Sequence, residues 1–256
     1  MRYIDSHAHY DDERFDEDRD ELLSSLYNKG VERIITVGCR IEQCINAIEL
    51  TKKHNHVYAA VGIHPEDCDT APENYLEQLE QWAKLDKVVA IGEIGLDYHY
   101  DGFDRAKQIK LFDEQLALAK RLDMPVIIHS RDATADTIEI IKKYAPLKGV
   151  MHCFSGSAET AKQVLLYGLH ISFTGVLTFK SARKAAEALS VIPMERLLLE
   201  TDCPYMAPEP FRGQRCDSSM IVKVIDRISE LKGISPEGVA QITMENTLRL
   251  FPKLNV

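Results

Sequence analysis

The sequence lacks paired cysteine motifs, long apolar segments and an excess of positive charge. Its six cysteines show no C-x-x-C spacing, which in a chain of 256 residues indicates reduced thiols and excludes a disulfide framework. No run approaches the roughly 20 apolar residues of a membrane-spanning helix, and the first residues contain no apolar signal segment. We therefore expect a cytoplasmic protein that has no membrane partner and is a monomer without an obligate protein partner.

Acidic residues outnumber basic ones. The chain has 31 Lys and Arg against 40 Asp and Glu, which gives a formal net charge of −9. Non-specific binding to nucleic acid depends largely on neutralising phosphates with basic residues, so this balance argues against it. A phosphate-bearing partner must then be drawn by a local site, such as bound cations.

Short apolar runs alternate with helical patterns along the whole chain. Near-continuous apolar strands that alternate with helices indicate a parallel sheet whose outer face is covered. Eight such units in about 250 residues are typical of an α/β fold of the (β/α)8 TIM-barrel type. No linker divides the chain, so we expect a single hydrolase barrel domain over residues 1–256. The predicted strands are residues 2–9, 33–38, 57–63, 88–92, 125–128, 149–151, 169–173 and 197–199.

Histidine or acidic residues stand where most of these runs end. In a barrel of this type the active site lies at the C-terminal ends of the strands, so these side chains should form one cluster. Residues two apart on an extended backbone point to the same side, which lets His7 and His9 converge. The residues at the strand ends are His7 and His9, His64, Glu93, His129, His152, Glu200 and Asp202.

This cluster holds too many ligands for one cation. Glu93, near the middle of the ring, is placed to bridge two ions. A metal pair about 3.5–4 Å apart acidifies a shared water and neutralises charge on the attacking and leaving oxygens. Asp202 is placed to accept the proton of that water. The other ligands divide into two groups: His7, His9 and Asp202 on one side, and His129 and His152 on the other.

Each position also has an ordinary structural explanation. His64 precedes a proline and can be a turn residue, a ligand or a substrate contact, and Asp202 can cap a helix. Cys153 and Cys203 can be soft ligands, but each is one residue out of phase with its neighbouring histidine or aspartate, so we expect small core residues. The recurrence of six residues in phase with strand ends favours the metal site. The remaining histidines are expected to be surface or packing residues: His54, His56, His99 and His170.

Basic and aromatic residues after the strands are candidates for gripping a phosphate-bearing substrate. Arginine is suited to bidentate contact with phosphate, so Arg131 and Arg212 are predicted substrate contacts. Tyr205 and Phe211 can stack on a base or simply pack their loop.

The whole chain closely resembles the TatD family of metal-dependent deoxyribonucleases, within the amidohydrolase superfamily. The stretches that carry the resemblance are Ile4-Asp5-Ser6-His7-Ala8-His9, Val61-Gly62-Ile63-His64-Pro65, Ile91-Gly92-Glu93-Ile94-Gly95-Leu96-Asp97-Tyr98, His129-Ser130-Arg131, His152-Cys153-Phe154-Ser155-Gly156, Leu199-Glu200-Thr201-Asp202-Cys203-Pro204 and Asn246-Thr247-Leu248-Arg249-Leu250-Phe251.

The resemblance implies a TIM barrel and metal-dependent hydrolysis of phosphodiester bonds, with 3′-to-5′ trimming of single-stranded DNA ends. It also implies that His64 contacts the scissile phosphate and that Glu200 supports the ligands. The family's Arg-Gly loop usually continues into an Asn-x-Pro pattern, whereas here it runs into Cys216-Asp217-Ser218, which bears on substrate grip and not on the metal site. The ligands that it implies for two divalent ions are His7, His9, Glu93, His129, His152 and Asp202.

Three hypotheses follow from the sequence. The first is a nuclease that hydrolyses DNA through a metal-bridging hydroxide, with Glu93 between the ions and Asp202 as the base. The second is a small-molecule amidohydrolase or phosphoesterase with the same binuclear site, which a closed apolar pocket would favour over a mouth of aromatic and arginine residues. The third, a metal-stabilised binding protein without turnover, ranks last because both acidic residues are present. Magnesium, manganese and zinc all remain candidates for the ions.

Overall fold

Eight parallel strands, each paired with the next in sequence, form one sheet within residues 1–255, which are the residues that the computed structural model describes. The sheet curls into a nearly closed barrel, with helices between successive strands, as the alternating pattern predicts. The strands are β1 (Tyr3–Ala8), β2 (Val31–Gly38), β3 (Val57–Val61), β4 (Val88–Asp97), β5 (Val126–Arg131), β6 (Gly149–Met151), β7 (His170–Phe173) and β8 (Leu197–Leu199). The α-helices are α1 (Arg19–Leu26), α2 (Ile41–Lys53), α3 (Tyr75–Trp82), α4 (Arg105–Leu122), α5 (Thr134–Tyr144), α6 (Ala158–Leu166), α7 (Arg183–Val191), α8 (Ile221–Lys232) and α9 (Pro236–Leu250).

Two strands run further than their apolar runs predict. β4 ends at Asp97 rather than at Gly92, and β5 ends at Arg131 rather than at Ile128. The predicted ends are wrong because both strands continue as a paired ladder into polar residues, so hydrophobicity alone does not mark where they stop. Glu93 and His129 consequently lie inside strands: His129 pairs with Gly95 in the ladder, and Glu93 lies at a register shift just before the paired residues of β4.

The first and last strands meet through a few specific hydrogen bonds. The hydroxyl of Ser6 donates to the carbonyl of Leu199 at 2.9 Å. The backbone N–H of Asp202 donates to the carbonyl of His7 at 2.9 Å, and that of His9 donates to Cys203 at 2.8 Å. These bonds bring β1 beside the loop that follows β8, so the ends of the chain's first and last strands share one side of the barrel mouth.

Apolar side chains alternate between the inside and the outside of the barrel. Ile35, Val37 and Ala60 belong to an inner cluster, while their neighbours along the strands pack against the helices. Phe251 and Leu254, from the C-terminal segment, join the same inner cluster. This segment therefore closes the end of the barrel at which the strands begin and leaves the opposite end for polar chemistry.

His170 lies at the start of β7, away from the polar end of the barrel, and offers a test of the buried packing. Burial, helped by the positive charges of Arg196 and Arg249, lowers the pKa of His170 to about 4. Its Nδ1 atom has no hydrogen-bond partner among the described residues. Below about pH 6.5 the unfolded chain binds a proton that the folded chain excludes down to about pH 4, so stability falls as the pH drops through this window.

We expect His170→Leu to reduce this acid sensitivity. The loss of unfolding free energy between about pH 7 and about pH 4 should be smaller than in the wild type by roughly 3 kcal/mol, since one pKa unit corresponds to about 1.4 kcal/mol. Urea unfolding at the two pH values measures the difference. Parallel losses in the variant and the wild type would show that this histidine does not carry the effect.

Candidate metal centre

The carboxylate of Glu93 lies at the centre of the polar end of the barrel. Its side chain comes from β4 and the residue is only 3% exposed. One oxygen, Oε1, lies 2.9 Å from His129 Nδ1 and 2.6 Å from His152 Nε2. The other, Oε2, lies 3.3 Å from His7 Nε2. Glu93 thus spans two groups of histidines, one on each oxygen.

The group on Oε2 comes from β1 and from the loop after β8. His7 and His9 point to the same side of the extended first strand, and their Nε2 atoms lie 3.1 Å apart. Asp202 Oδ1 lies 3.6 Å from His7 Nε2 and 3.2 Å from His9 Nε2. The bond from the Asp202 N–H to the His7 carbonyl holds this carboxylate against the pair. These three side chains offer ligand atoms around one point.

In His9 and His129, a hydrogen bond to one ring nitrogen determines that the other nitrogen carries the free lone pair. His9 Nδ1 lies 3.0 Å from the carbonyl oxygen of Val37, which can only accept, so Nδ1 carries the hydrogen and Nε2 is free to bind. His129 Nε2 lies 2.9 Å from Asp97 Oδ2, which leaves Nδ1 free on the side of Glu93. A carboxylate or carbonyl behind a histidine is the usual arrangement for an imidazole that ligates a metal.

The group on Oε1 is supported from the end of β8. Oε1 of Glu200 lies 3.5 Å from His152 Nδ1, and its other oxygen accepts a hydrogen bond from Ser172 Oγ at 2.7 Å. The Glu200 side chain is fully buried. It lies on the side of the His152 ring away from Glu93 and does not reach the central cluster.

The charges in this cluster favour ionised carboxylates. Burial by itself raises the pKa of Glu93, but the surrounding histidines, His152 and His7 foremost, hold its pKa well below the usual value. Burial also raises the pKa of Asp202, but the hydrogen bond with His9 lowers it, and the net result is a lowered pKa. Two negative charges, the buried Glu93 and the partly exposed Asp202, therefore face a ring of imidazoles at neutral pH.

This donor set fits divalent cations. The free lone pairs of His9 and His129 point towards carboxylate oxygens at 3.2 Å and 2.9 Å, where two acceptors repel each other unless a cation or a proton lies between them. Imidazole and carboxylate ligands together suit zinc, manganese, nickel and related ions. The chemistry of the residues therefore matches a metal centre.

In His64, which follows β3, the ring nitrogen that faces the cavity carries the hydrogen, unlike those of His9 and His129. Its Nδ1 accepts the backbone N–H of Glu66 at 3.2 Å, and burial lowers the pKa of His64 to about 3, so the ring is neutral. The hydrogen of a neutral ring must then be on Nε2, which lies 3.6 Å from Glu93 Oε1 and borders the cavity. His64 presents a donor at the mouth and not a lone pair, which suits contact with an oxygen of a substrate better than contact with a metal.

A cavity of about 620 Å³ opens above the cluster. Three of the predicted substrate contacts, His64, Arg131 and Tyr205, line it. Arg212 does not: its guanidinium packs 4.3 Å above the ring of Phe179, and Nη1 lies 3.9 Å from Glu209 Oε1. The suitability of arginine for phosphate suggested a contact, but the side chain of Arg212 does not line the cavity.

Sequence reasoning did not single out several residues that build the site. Asp97 orients His129, and Tyr100, with Arg131 5.2 Å from its ring centre, lines the cavity mouth together with Arg40. Cys39 follows β2 and has its sulfur 3.7 Å from Glu93 Oε2. The available signal was position: Cys39 directly follows the second strand, to whose end no functional residue was assigned. Among the described residues, neither Cys153 nor Cys203 belongs to a group of clustered ligand atoms. Cys203 is buried, as expected of a packing residue, whereas Cys153 is partly exposed and lines the cavity.

Residues 216–218, which differ from the family's usual Asn-x-Pro pattern, contact the barrel and do not line the cavity. Ser218 Oγ donates to the buried carboxylate of Asp5 at 2.6 Å, and Asp5 also accepts from the N–H and hydroxyl of Thr201. Burial raises the pKa of Asp5 to about 7 although these hydrogen bonds oppose the shift. None of the three residues lines the cavity. They brace β1 against the segment that carries Asp202.

Comparison with known proteins places this chain among metal-dependent hydrolases. The sequence model of the family described as TatD related DNase matches residues 4–252. A Bacillus subtilis protein named an uncharacterized metal-dependent hydrolase is 43% identical, with 97% of this chain and 98% of the relative covered. A protein of Cronobacter sakazakii named a 3′-5′ ssDNA/RNA exonuclease TatD is 33% identical, with 94% of each chain covered. The crystal structure of a TatD homologue from Escherichia coli K12 has a TM-score of 0.93 and 36% identity, with 98% of each chain covered.

Removing the central charge should release metal. We expect Glu93→Gln to lower divalent-metal affinity about 10- to 100-fold, a typical effect of disturbing a metal shell, because an amide is a weaker ligand and cannot carry the bridging charge. Elemental analysis after dialysis, with isothermal titration, measures the loss. Glu66→Gln is the matched control, since it removes the same charge from the same cavity. Equal metal retention by both variants would count against Glu93 as a ligand.

Proposed function

Because the chain belongs to the TatD family of metal-dependent hydrolases, we propose that it is a metal-dependent nuclease that hydrolyses phosphodiester bonds of DNA. We further propose that it acts as a 3′-to-5′ exonuclease on single-stranded ends, since a relative is named for that activity. The observation that carries the proposal is the open cavity, which has a carboxylate and histidine cluster at its floor and Arg131 and Tyr205 in its wall.

We propose two divalent ions that Glu93 would help to hold, with magnesium, manganese and zinc as candidates. When bound, such a pair supplies an acidified water and neutralises charge on the phosphate oxygens. His7, His9 and Asp202 would hold the ion on the Oε2 side, and His129 and His152 the ion on the Oε1 side. Glu93 lies within β4, at the register irregularity between Ile91 and Ile94, and histidines on both of its oxygens hold its side chain between the two groups.

The protein's own groups then carry the proton and orient the substrate. Asp202 is ionised and 14% exposed at its side chain, so it can take a proton from a water in the cavity. The Nε2–H of His64 is placed to donate to a phosphate oxygen. Arg131 can pair with a second phosphate, and the rings of Tyr100 and Tyr205 offer faces on which bases can stack.

The open mouth favours a polymer over a small apolar molecule. The cavity wall carries arginines and tyrosines, and 40% of Tyr205 and 57% of Tyr100 are exposed. No helix of the described residues is long and apolar enough to cross a membrane. The open mouth with its exposed tyrosines leaves room for a strand end to enter, while the overall negative charge of the protein disfavours wrapping of a longer duplex.

The direct test is digestion of single-stranded DNA labelled at its 5′ end. Metal-free protein is reloaded separately with magnesium, manganese or zinc, and the wild type is compared with Glu93→Gln and Asp202→Asn. We expect the wild type to produce a ladder of shortening labelled products, as trimming from the 3′ end requires. Asp202→Asn should lower kcat roughly 10²- to 10⁴-fold through loss of the base.

The same experiment can reject the assignment. Immediate release of the label as a mononucleotide would reverse the proposed polarity. If DNA and RNA stayed intact with every metal while a phosphoester, lactone or amide reporter was cleaved, the centre would belong to a small-molecule hydrolase.

The two arginines predicted from the sequence should behave differently. We expect Arg131→Ala to raise KM for single-stranded DNA about tenfold and to reduce the salt dependence of binding by about one phosphate contact, because a charge-assisted bond to phosphate is lost. Arg212→Ala should raise KM less, since its side chain lies on Phe179 outside the cavity. Arg183→Ala, on the exposed surface of α7, is the control. A larger effect at Arg212 would mean that the substrate runs along the outer loop.

A further inference from the structure

Cys39 lies where β2 reaches the metal centre. It is partly exposed, it lines the cavity, and its sulfur lies 3.7 Å from Glu93 Oε2 and 4.0 Å from His9 Nδ1. We propose that the Cys39 thiol is an additional metal ligand on the Oε2 side of the centre, where it makes the site prefer zinc-like ions to magnesium. This inference rests on the proposed metal centre but not on the proposed substrate.

The spacing matches that of atoms that share one ion. With zinc–sulfur bonds of about 2.3 Å and zinc–nitrogen or zinc–oxygen bonds of about 2.0 Å, ligands that are neighbours on one five-coordinate ion lie roughly 3.0–3.7 Å apart. The sulfur of Cys39 and the Nε2 of His7 lie 3.7 Å and 3.3 Å from Glu93 Oε2. His9 Nε2 lies 3.1 Å from His7 Nε2. The sulfur therefore lies at a shared-ion separation from Glu93 Oε2, the oxygen that His7 also approaches, and Cys39 forms one group of clustered ligand atoms with His9 and Glu93.

Local packing gives Cys39 no strong alternative partner. A thiol is a weak hydrogen-bond donor and acceptor, and its contacts among the described residues lead to Glu93 and His9. Cys153 is the informative comparison, because it lines the same cavity with similar exposure. Its sulfur lies 3.6 Å from the hydroxyl of Thr174 and belongs to none of the groups of clustered ligand atoms.

The consequence is a change in metal preference. Thiolate is a soft ligand that favours zinc, cobalt and cadmium, whereas magnesium takes hard oxygen ligands and keeps much of its water. Binding through sulfur releases the thiol proton to solvent and leaves the oxidation state of the sulfur unchanged. A centre of imidazoles and carboxylates alone would discriminate less between these ions.

Cobalt provides a readout that does not depend on activity. Metal-free, fully reduced protein is titrated with Co²⁺, without DNA, and the near-ultraviolet sulfur-to-cobalt charge-transfer absorption is recorded. We expect the band in the wild type and in Cys153→Ser, and its loss in Cys39→Ser and Cys39→Ala. Circular dichroism of each metal-free variant establishes whether the barrel is folded. Two different substitutions of Cys39 are used so that the test still stands if one variant misfolds.

Affinities provide the second readout. We expect Cys39→Ser to weaken zinc binding about tenfold or more while changing magnesium binding less than about twofold. A band that persists in both Cys39 variants, its absence from the wild type, or equal weakening of zinc and magnesium would overturn the inference. A wild type that shows the band but leaves DNA intact would retain this ligand and reject the nuclease proposal, so the two failures are distinguishable.

Discussion

The shared carboxylate of Glu93 is the constraint on which the rest of the site depends. A buried negative charge is costly unless it is surrounded by compensating groups, and here imidazoles from β1, β5 and the ends of β3 and β6 converge on its two oxygens. The carboxylate lies inside a ten-residue strand, so its position follows from the sheet and not from a mobile loop. Gly95, at φ +147°, permits the close approach of β4 to β5, because a Cβ there would lie 2.0 Å from the carbonyl oxygen of His129.

Much of the site could be predicted because a parallel barrel turns position in sequence into position in space. Each apolar run ends at the same face, so His7, Asp202 and the other polar residues at strand ends had to come together. What sequence could not supply was the environment behind each ring. The Val37 carbonyl and the Asp97 carboxylate decide which nitrogen of His9 and His129 is free, and both contacts depend on strand register. The same limitation applies to His64, whose donor role follows from one backbone N–H.

The loops above the barrel were harder to predict for a different physical reason. A strand has one register that buries its apolar face, but a loop with several polar side chains has many conformations of similar energy. Arg131 continues a strand and lines the cavity, whereas Arg212, of the same chemistry, packs on Phe179. The stretch with Cys216 illustrates the same point, since Ser218 binds the buried Asp5 and the segment therefore serves the barrel.

The proposed centre has two kinds of residue: those that would hold the ions and one, Cys39, that would select among them. The histidines and carboxylates are held by barrel closure, by the Asp5 contacts to Thr201 and Ser218, and by the ladder of β4. Replacing any of them disturbs charge compensation as well as ligation. Cys39 is not needed for charge compensation. It follows β2, is partly exposed and can be replaced without leaving a buried charge unpaired. A position of this kind can alter the hardness of the ligand set while the barrel and the bridging carboxylate remain intact. Metal preference in such a fold can therefore differ between chains that share the same six central side chains.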